Sequence, residues 1–265
     1  MKQTITLIAS LALSCALTGQ DDARSKARVE YKAMKADYDA AMDAYYMASR
    51  RVTSSAAYKK ARADKDNDAI RELRAGIKRP DKKVWIAKFE KAADSYSPGG
   101  GEVPFLGWLA LWSADKKVAT KAVETILERH TDSPDLEEVA EYIGVLRRGV
   151  GAPLHGLLLN KLAESEHTMV KANALYSKGY SLVAARGAER SEEDLKQGAA
   201  WLDECARLAV GTPLALRAKA PEFERTRLQI GMQVPDIVGA DLDGVPFKLS
   251  DYRGKVVVID FWGDW

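Results

Sequence analysis

A helical period in the apolar residues runs from Asp22 to about Arg225 and restricts the fold of this chain more than any other feature. Apolar side chains recur there at alternating spacings of three and four, which places them on one face of successive α-helices. The first such stripe comprises Tyr31, Met34, Tyr38, Ala41, Tyr45 and Ala48. Tyrosines at this spacing are typical of a packing seam, so we expect the stripe to face a core and not a ligand.

Proline and glycine divide this helical stretch into two parts. The sequence Pro-Gly-Gly-Gly at 98–101 is its clearest break, and it separates highly charged N-terminal helices at 22–97 from a more regular array at 102–225. Within the first part, one helix is expected from about Ser55 to Lys78, ending before Pro80.

The helices predicted for the second part suggest stacked pairs. Helices of about 12–20 residues joined by short polar turns, with about 30–40 residues per pair, are typical of helical-hairpin arrays. We therefore predict a mainly α fold built as a helical-hairpin array, related to a degenerate tetratricopeptide array. The surfaces of such arrays usually bind proteins, so a protein partner is expected there.

Three residues of the array stand out as core positions. Trp108 and Trp112 are four residues apart, share a helix face and should be core anchors. Cys205 has apolar neighbours on a helix that Ser191 should cap, and we expect it to be a small buried side chain and not a nucleophile.

Composition excludes several classes of function. The chain has 40 basic and 38 acidic residues and a net charge of +2, so no strong field is expected to recruit nucleic acid. Its two cysteines form neither a disulfide framework nor a Cys-x-x-Cys motif. His130, His155 and His167 have no metal-ligand spacing and should be surface or capping histidines. No metal and no cofactor is predicted.

The first 20 residues have the pattern of an export signal. A short basic start is followed by an apolar stretch from Ile5 to Leu13, which is too short to span a bilayer. The sequence Leu-Ala-Leu-Ser-Cys ending at Cys15 resembles a lipobox, which predicts lipidation of Cys15 and a membrane anchor. Cleavage after Ala16 and a buried N-terminal helix are the alternatives. Either processing route predicts an extracytoplasmic, oxidising location.

The period of the sequence changes at about Leu228, where short extended segments replace helices. Proline punctuates the first of them, and Asp-Gly at 243–244 predicts a β-hairpin between short apolar strands. The turn Leu-Ser-Asp-Tyr-Arg-Gly-Lys at 249–255 follows. The run Val-Val-Val-Ile-Asp-Phe-Trp at 256–262 then predicts a strand that is covered on both faces, as in a sheet between helices.

This C-terminal segment, residues 228–265, resembles the start of the TlpA and ResA type of thioredoxin-like thiol–disulfide oxidoreductase. The resemblance rests on five landmarks in order: Gly231 with Pro235 and Asp236, Asp243 with Gly244, the turn at 249–255, Asp260-Phe261-Trp262, and Trp265. Peroxiredoxins share the Arg-Gly-Lys turn but usually lack the Trp-x-x-Trp ending. The resemblance implies a thioredoxin-like α/β domain, of which the segment supplies the hairpin and the central strand.

The resemblance also implies site residues and partners. In that family a Cys-x-x-Cys motif follows the final Trp at a helix N-terminus, which favours the attacking thiolate, and protein thiols and disulfides are the partners. Asp260 matches the carboxylate that relays a proton from the second cysteine, and burial in an apolar strand should raise its pKa. Trp265 matches the aromatic residue that flanks the dithiol.

The 265 residues include neither of these cysteines, so the chain as written is expected to be inactive in dithiol exchange. A truncated reading frame, a UGA codon for selenocysteine read as a stop, and a genuine short product are three open explanations. Two functions therefore remain: the N-terminal portion of an exported thiol–disulfide oxidoreductase, or a non-enzymatic helical-repeat lipoprotein that serves as a protein-binding scaffold.

Overall fold

The structure is a computed structural model that describes residues 2–184 and 190–261, with side chains described from residue 21 onward. The described chain is mainly helical, as predicted. Its α-helices are α1 Lys2–Ser54, α2 Ala56–Ala63, α3 Asn67–Arg74, α4 Lys82–Tyr96, α5 Val103–Trp112, α6 Lys116–Arg129, α7 Glu137–Glu141, α8 Ile143–Val150, α9 Ala152–Ala163, α10 Thr168–Val183, α11 Glu192–Leu208 and α12 Pro213–Arg227. Strands β1 Val238–Ala240 and β2 Pro246–Lys248 form a two-stranded antiparallel sheet, and Pro134–Leu136 and Leu249–Tyr252 are short 3₁₀ helices.

The chain divides into two compact units, residues 1–178 and residues 179–265. The boundaries predicted from the sequence, at 22–97, 102–225 and 228–265, stay predictions, because a division by contacts does not show which segments fold independently. The helical-repeat arrangement also stays a prediction, because a division into units does not show whether the helices repeat.

Helix α5 is the centre of the first unit. Every residue from 103 to 111 is buried, because the sequence of this helix is apolar on all sides and a helix of that kind is stable only inside a core. It packs against α1, α4, α6 and α8. Trp108 is buried and Trp112 is half-buried against the same core, so both are core anchors as predicted.

An aromatic cluster joins α1, α4 and α5. The rings of Phe89 and Trp108 stack with centroids 3.9 Å apart, and Tyr31 meets the rings of Phe89 and Phe105 edge-on at 6.2 and 5.7 Å. Tyr38 makes a similar edge contact with Trp108 at 5.2 Å. The tyrosine stripe of α1 is therefore a packing seam at Tyr31 and Tyr38, as predicted.

Polar contacts hold α1 against the rest of the first unit. The guanidinium of Arg28 donates to both carboxylate oxygens of Asp135 at 2.7 and 3.1 Å, a paired geometry that is stronger than a single bond. The hydroxyl of Tyr31 donates to Glu138. Burial and this contact both raise the pKa of Tyr31, so the phenol stays protonated at any physiological pH.

The single helix predicted from Ser55 to Lys78 is wrong in one respect, because the structure divides it into α2 and α3. Lys65 adopts a left-handed conformation with φ of 56°, and Asp66 caps the new helix by accepting a hydrogen bond from the backbone N–H of Ala69 at 3.0 Å. An Asp side chain competes with the helix for backbone donors, and this local capping ends α2.

The second unit contains a close crossing between α10 and α11. A Cβ on Gly179 would lie 2.7 Å from the carbonyl oxygen of Gly198, and a Cβ on Gly198 would lie 2.8 Å from Leu182. Only glycine permits this approach. Ser191 caps α11 through the backbone N–H of Asp194, and Cys205 is buried in that helix, both as predicted.

Among the residues that the structure describes, no helix combines the length and the hydropathy needed to cross a bilayer.

Candidate functional site in the C-terminal segment

The predicted hairpin forms in the C-terminal segment. Strands β1 and β2 pair antiparallel, with Val238 opposite Lys248 and Ala240 opposite Pro246. The carboxylate of Asp241 closes the connecting loop by accepting hydrogen bonds from the backbone N–H groups of Asp243 at 3.0 Å and Val245 at 2.9 Å. Gly244 has a φ of 80°, a conformation that glycine adopts without strain. Asp-Gly at 243–244 therefore predicts the hairpin correctly, because the loop needs a residue that can adopt the φ of Gly244.

Asp236 ties the start of the segment to the turn that follows the hairpin. Its two carboxylate oxygens accept hydrogen bonds from the backbone N–H and the hydroxyl of Ser250, both at 2.8 Å. These contacts hold the pKa of Asp236 below its ordinary value of 3.8, because both stabilise the charged form. The contact with the hydroxyl has the larger effect, and the contact with the backbone N–H has the smaller one. We call this contact the Asp236–Ser250 clamp.

The clamp brings together two of the landmarks that the sequence analysis treated as separate. Asp236 belongs to the first landmark and Ser250 to the turn, 14 residues later. The backbone N–H of Leu249 also donates to the carbonyl of Ile237 at 2.9 Å and extends the pairing of the two strands. Sequence reasoning missed the clamp, although an Asp before one strand and a Ser after its partner is the signal that could have suggested it.

The turn itself is short and locally satisfied. Residues Leu249–Tyr252 form a 3₁₀ helix, and the carboxylate of Asp251 accepts from the backbone N–H of Lys248 at 2.9 Å. Gly254 then takes a φ of 82° and redirects the chain. This is the change of direction that the sequence of the turn predicted.

The strand predicted at 256–262 is not formed over its described part, 256–261. The side chains of Val256, Val258 and Phe261 are 98%, 89% and 83% exposed, where the prediction covers both faces. The physical reason is the lack of a partner: in the described part of the second unit only β1 and β2 are strands, and they pair with each other. A strand needs neighbours for its backbone groups and its side chains.

The three predicted site residues fall in different situations. Asp260 is exposed, so the burial expected for it is not present, because no strand or helix covers 256–261. Trp265 lies outside the described residues. Cys15 lies within the helical backbone of α1, at a position whose side chain is not described. The roles of these three residues therefore stay predictions.

His130 is the C-cap residue of α6, which is the capping position expected for it, and its backbone N–H donates to the carbonyl of Ile126 at 2.9 Å. Its side chain is buried, and its Nε2 lies 3.1 Å from the carboxylate of the buried Glu102. His167 contacts the backbone carbonyl of Asp132 at 3.3 Å. In the ranges that the structure describes, no three His, Cys, Asp or Glu side chains are grouped as metal ligands would be.

The chain is similar over a short stretch to curated thiol–disulfide oxidoreductases. It is 48% identical over 42 residues to "Thiol-disulfide oxidoreductase ResA" of Geobacillus thermodenitrificans. Proteins of the same name from Geobacillus kaustophilus and Bacillus anthracis are 50% and 40% identical over 42 residues. Each match covers 16% of this chain and 24% of the relative, so the chain spans about a quarter of the length of the curated relatives it matches.

No protein-family model matches the chain, and no solved structure matches it. The comparisons therefore support a thioredoxin-like redox relation for a short part of the sequence.

Proposed function

We propose that the C-terminal segment is the first part of a thioredoxin-like thiol–disulfide oxidoreductase domain and that a helical domain precedes it. The observation that carries the proposal is the order of five landmarks within 35 residues. We take the 42-residue match to the oxidoreductases to cover this segment. An identity of 40–50% over such a length agrees with that interpretation.

The geometry of the segment supports the same function. The hairpin and the Asp236–Ser250 clamp together fix the path of the chain from Asp236 to Gly254 through local hydrogen bonds. A segment held in this way delivers the following apolar run in a fixed direction. In a thioredoxin-like domain that run is the central strand, and the catalytic cysteines lie directly after it.

Within this proposal, Asp260 and Trp265 are the site residues that the chain supplies. A dithiol enzyme attacks a substrate disulfide with the first thiolate, and the second thiol resolves the mixed disulfide after losing its proton. Asp260 would accept that proton once neighbouring strands cover it. Trp265 would shield the dithiol from water. The substrates would be the thiols and disulfides of other proteins.

Location and attachment are the second part of the proposal. Cleavage of the first residues and lipidation of Cys15 would place the domain outside the cytoplasm, where disulfide chemistry operates. The helical array would then lie between the anchor and the redox domain and would offer a surface to a protein partner.

The coding sequence beyond the codon of Trp265 tests the first part of the proposal directly. We expect an in-frame Cys-x-x-Cys, or a UGA codon followed in frame by x-x-Cys, and peptides from the native protein that cross Trp265 would confirm its translation. A downstream frame with neither cysteine nor UGA at this position would refute the proposal and leave the scaffold function.

A reductase assay tests the chemistry on the 265 residues themselves. Cys15 and Cys205 are their only cysteines, so we expect no reduction of a protein disulfide by this chain in the presence of dithiothreitol above the rate of dithiothreitol alone. Cys205→Ser is the matched control and should behave identically. Turnover that Cys205→Ser abolishes would contradict the assignment of the reactive centre to the missing dithiol.

A further inference from the structure

The end of α1, the helices α2 and α3 and the loop after them form a strongly basic part of the first unit. Residues 50–79, which we call the basic segment, contain ten Lys and Arg and four Asp and Glu. The other 235 residues contain 30 Lys and Arg and 34 Asp and Glu. The positive net charge of the chain therefore comes from this segment, and all ten of its cationic side chains are exposed.

Most of these cations have no partner within the protein. Arg71 pairs with Asp68 at 2.9 Å, and the carboxylate of Asp66 is used to cap α3. Within the described residues, eight of the ten cationic side chains form neither a hydrogen bond nor an ion pair. A concentrated charge of one sign that the protein does not neutralise attracts a partner of the opposite sign.

Helix α3 adds apolar side chains beside these cations. Ile70 and Leu73 lie three residues apart on one face of the helix, and Ile77 follows in the loop after it. All three are half-buried, and no residue of α3 is buried. Arg74 and Lys78 alternate with these apolar residues at the end of the helix. The segment thus presents an apolar stripe with cations next to it.

The packing of α3 against α2 leaves this stripe partly uncovered. An open space of about 480 Å³ lies between the two helices, and its lining includes Ala61 of α2 and Leu73 of α3. Packed protein interiors have few voids larger than a water molecule. The two helices are therefore not close-packed, and the face of α3 that carries Leu73 keeps apolar surface for a further contact.

From these observations we propose that the basic segment binds the surface of an anionic lipid bilayer. Its cations contact the phosphates of the headgroups, and Ile70, Leu73 and Ile77 enter the boundary between headgroups and acyl chains. Cations next to an apolar stripe are typical of helices that lie in this interface. A nucleic acid would match the charge, but it would leave the apolar stripe without a partner.

The inference rests on the proposed function for its setting, because the proposed lipidation of Cys15 would hold the basic segment near a bilayer. A single acyl chain gives only marginal attachment, and a polybasic patch is a common second signal. Cys15 and Arg50 are 35 residues apart on α1, which is about 50 Å at the rise of an α-helix. Attachment at both places would hold α1 along the bilayer surface.

Co-sedimentation of the full 265-residue chain with vesicles tests the proposal. One set of vesicles contains phosphatidylcholine, and the other contains equal parts of phosphatidylcholine and phosphatidylglycerol. We expect binding at least about tenfold tighter to the anionic set, since each Lys or Arg near such a surface contributes roughly fivefold in affinity. This difference should disappear at about 1 M salt, where the screening length falls to about 3 Å. The neutral vesicles control for the apolar N-terminal sequence, which would bind both sets alike.

Two pairs of substitutions test the place of binding. Arg74→Gln combined with Lys78→Gln removes two exposed cations of the basic segment and should weaken binding to the anionic vesicles by about tenfold or more. Lys116→Gln combined with Lys117→Gln removes the same charge from exposed positions at the start of α6. This second pair is the matched control and should bind as the unchanged chain does. Far-UV circular dichroism verifies that both variants keep their helices.

Ile77→Ser tests the apolar part of the contact without a change of charge. Ile77 is half-buried in the loop after α3, and its loss should weaken binding to the anionic vesicles by about threefold or more, because its side chain no longer leaves water. Binding to poly-L-glutamate, which offers charge without an apolar phase, should be the same for Ile77→Ser and for the unchanged chain.

Three outcomes would overturn the proposal. The first is equal binding to both sets of vesicles, or no binding to either. The second is an equal loss in the two charge variants, which would exclude the basic segment as the place of binding. The third is vesicle binding that Ile77→Ser leaves unchanged together with equally tight binding of poly-L-glutamate, which would indicate an acidic protein as the partner. None of these outcomes bears on the codons after Trp265, so a failure here is distinct from a failure of the redox proposal.

Discussion

The aromatic cluster should make Phe89 one of the most costly side chains to truncate in the helical unit. Phe89 is fully buried and stacks on Trp108 at a centroid distance of 3.9 Å. Replacing a buried Phe by Ala removes its transfer free energy and leaves a cavity, which together cost about 3–5 kcal/mol. The stack is part of that value, at about 0.5–1.5 kcal/mol. We therefore expect Phe89→Ala to lower the free energy of unfolding by about 3–5 kcal/mol.

Urea titration followed by far-UV circular dichroism measures this loss. At an m-value of about 2 kcal/mol/M, the midpoint of the helical unit should fall by about 1.5–2.5 M. Phe89→Leu keeps most of the volume and loses the ring, so its effect should be smaller than that of the alanine variant. Phe261→Ala is the matched control. Its ring is 83% exposed, and its change should stay within about 0.5 kcal/mol.

The losses in free energy of unfolding for Phe89→Ala and Phe261→Ala, taken together, show whether Phe89 lies in the core. If Phe89→Ala changes the free energy of unfolding by less than about 1 kcal/mol, or no more than Phe261→Ala does, the ring is not in the core and the described packing of α1, α4 and α5 is wrong. An intermediate loss for Phe89→Leu would show that volume and ring stacking contribute separately.

Three further predictions concern close packing and titration. Gly198→Ala should destabilise the second unit by about 1–3 kcal/mol in urea titration, because the added Cβ would lie 2.8 Å from a side chain of α10. Ser250→Ala should raise the pKa of Asp236 towards 3.8 in an NMR titration. The clamp stabilises the turn above that pH and is lost as the pH falls through the lower pKa of the folded state. The pKa of His155 lies below 6.5, mainly because the imidazole is buried and also because of the charge of Arg147, so Arg147→Gln should raise this pKa. The stability that the neutral imidazole contributes is present above pH 6.5 and falls as the pH drops below that value.

The prediction for Gly198 has a matched control, and each of the three predictions has a result that would contradict it. Gly144→Ala adds a Cβ with nothing within 4 Å and should not destabilise, so equal losses in both alanine variants would exclude the close crossing as the cause. An Asp236 pKa that Ser250→Ala leaves unchanged would show that the clamp is absent in solution. A His155 pKa at or above 6.5 in the unchanged chain would place that imidazole in water.

The sequence predicted the features that depend on local pattern. Tyr31 and Tyr38 lie where the helical period places them, and Ser191 caps α11 because the preference of Ser for that position is a property of the local backbone. The hairpin follows equally from Asp-Gly and its flanking residues. These features can be predicted without knowing which segments pack against them.

Features that depend on distant partners could not be predicted in this way. The contact between Glu102, directly before α5, and His130, directly after α6, joins residues 28 positions apart. The Asp236–Ser250 clamp joins the two sides of a hairpin. A sequence pattern assigns a side chain to a helix or a turn, but it does not state which buried carboxylate will face which imidazole.

The run at 256–261 shows that conformation and pairing are separate requirements for a strand. Exposure alternates along it, with Val256 at 98%, Val257 at 43%, Val258 at 89% and Ile259 at 44%. Successive side chains of an extended chain point to opposite sides, so the alternation is that of a strand although no ladder forms. Its β-branched residues favour the extended backbone locally. The hydrogen bonds and the cover on both faces must come from other segments, and the burial of Asp260 depends on that cover alone.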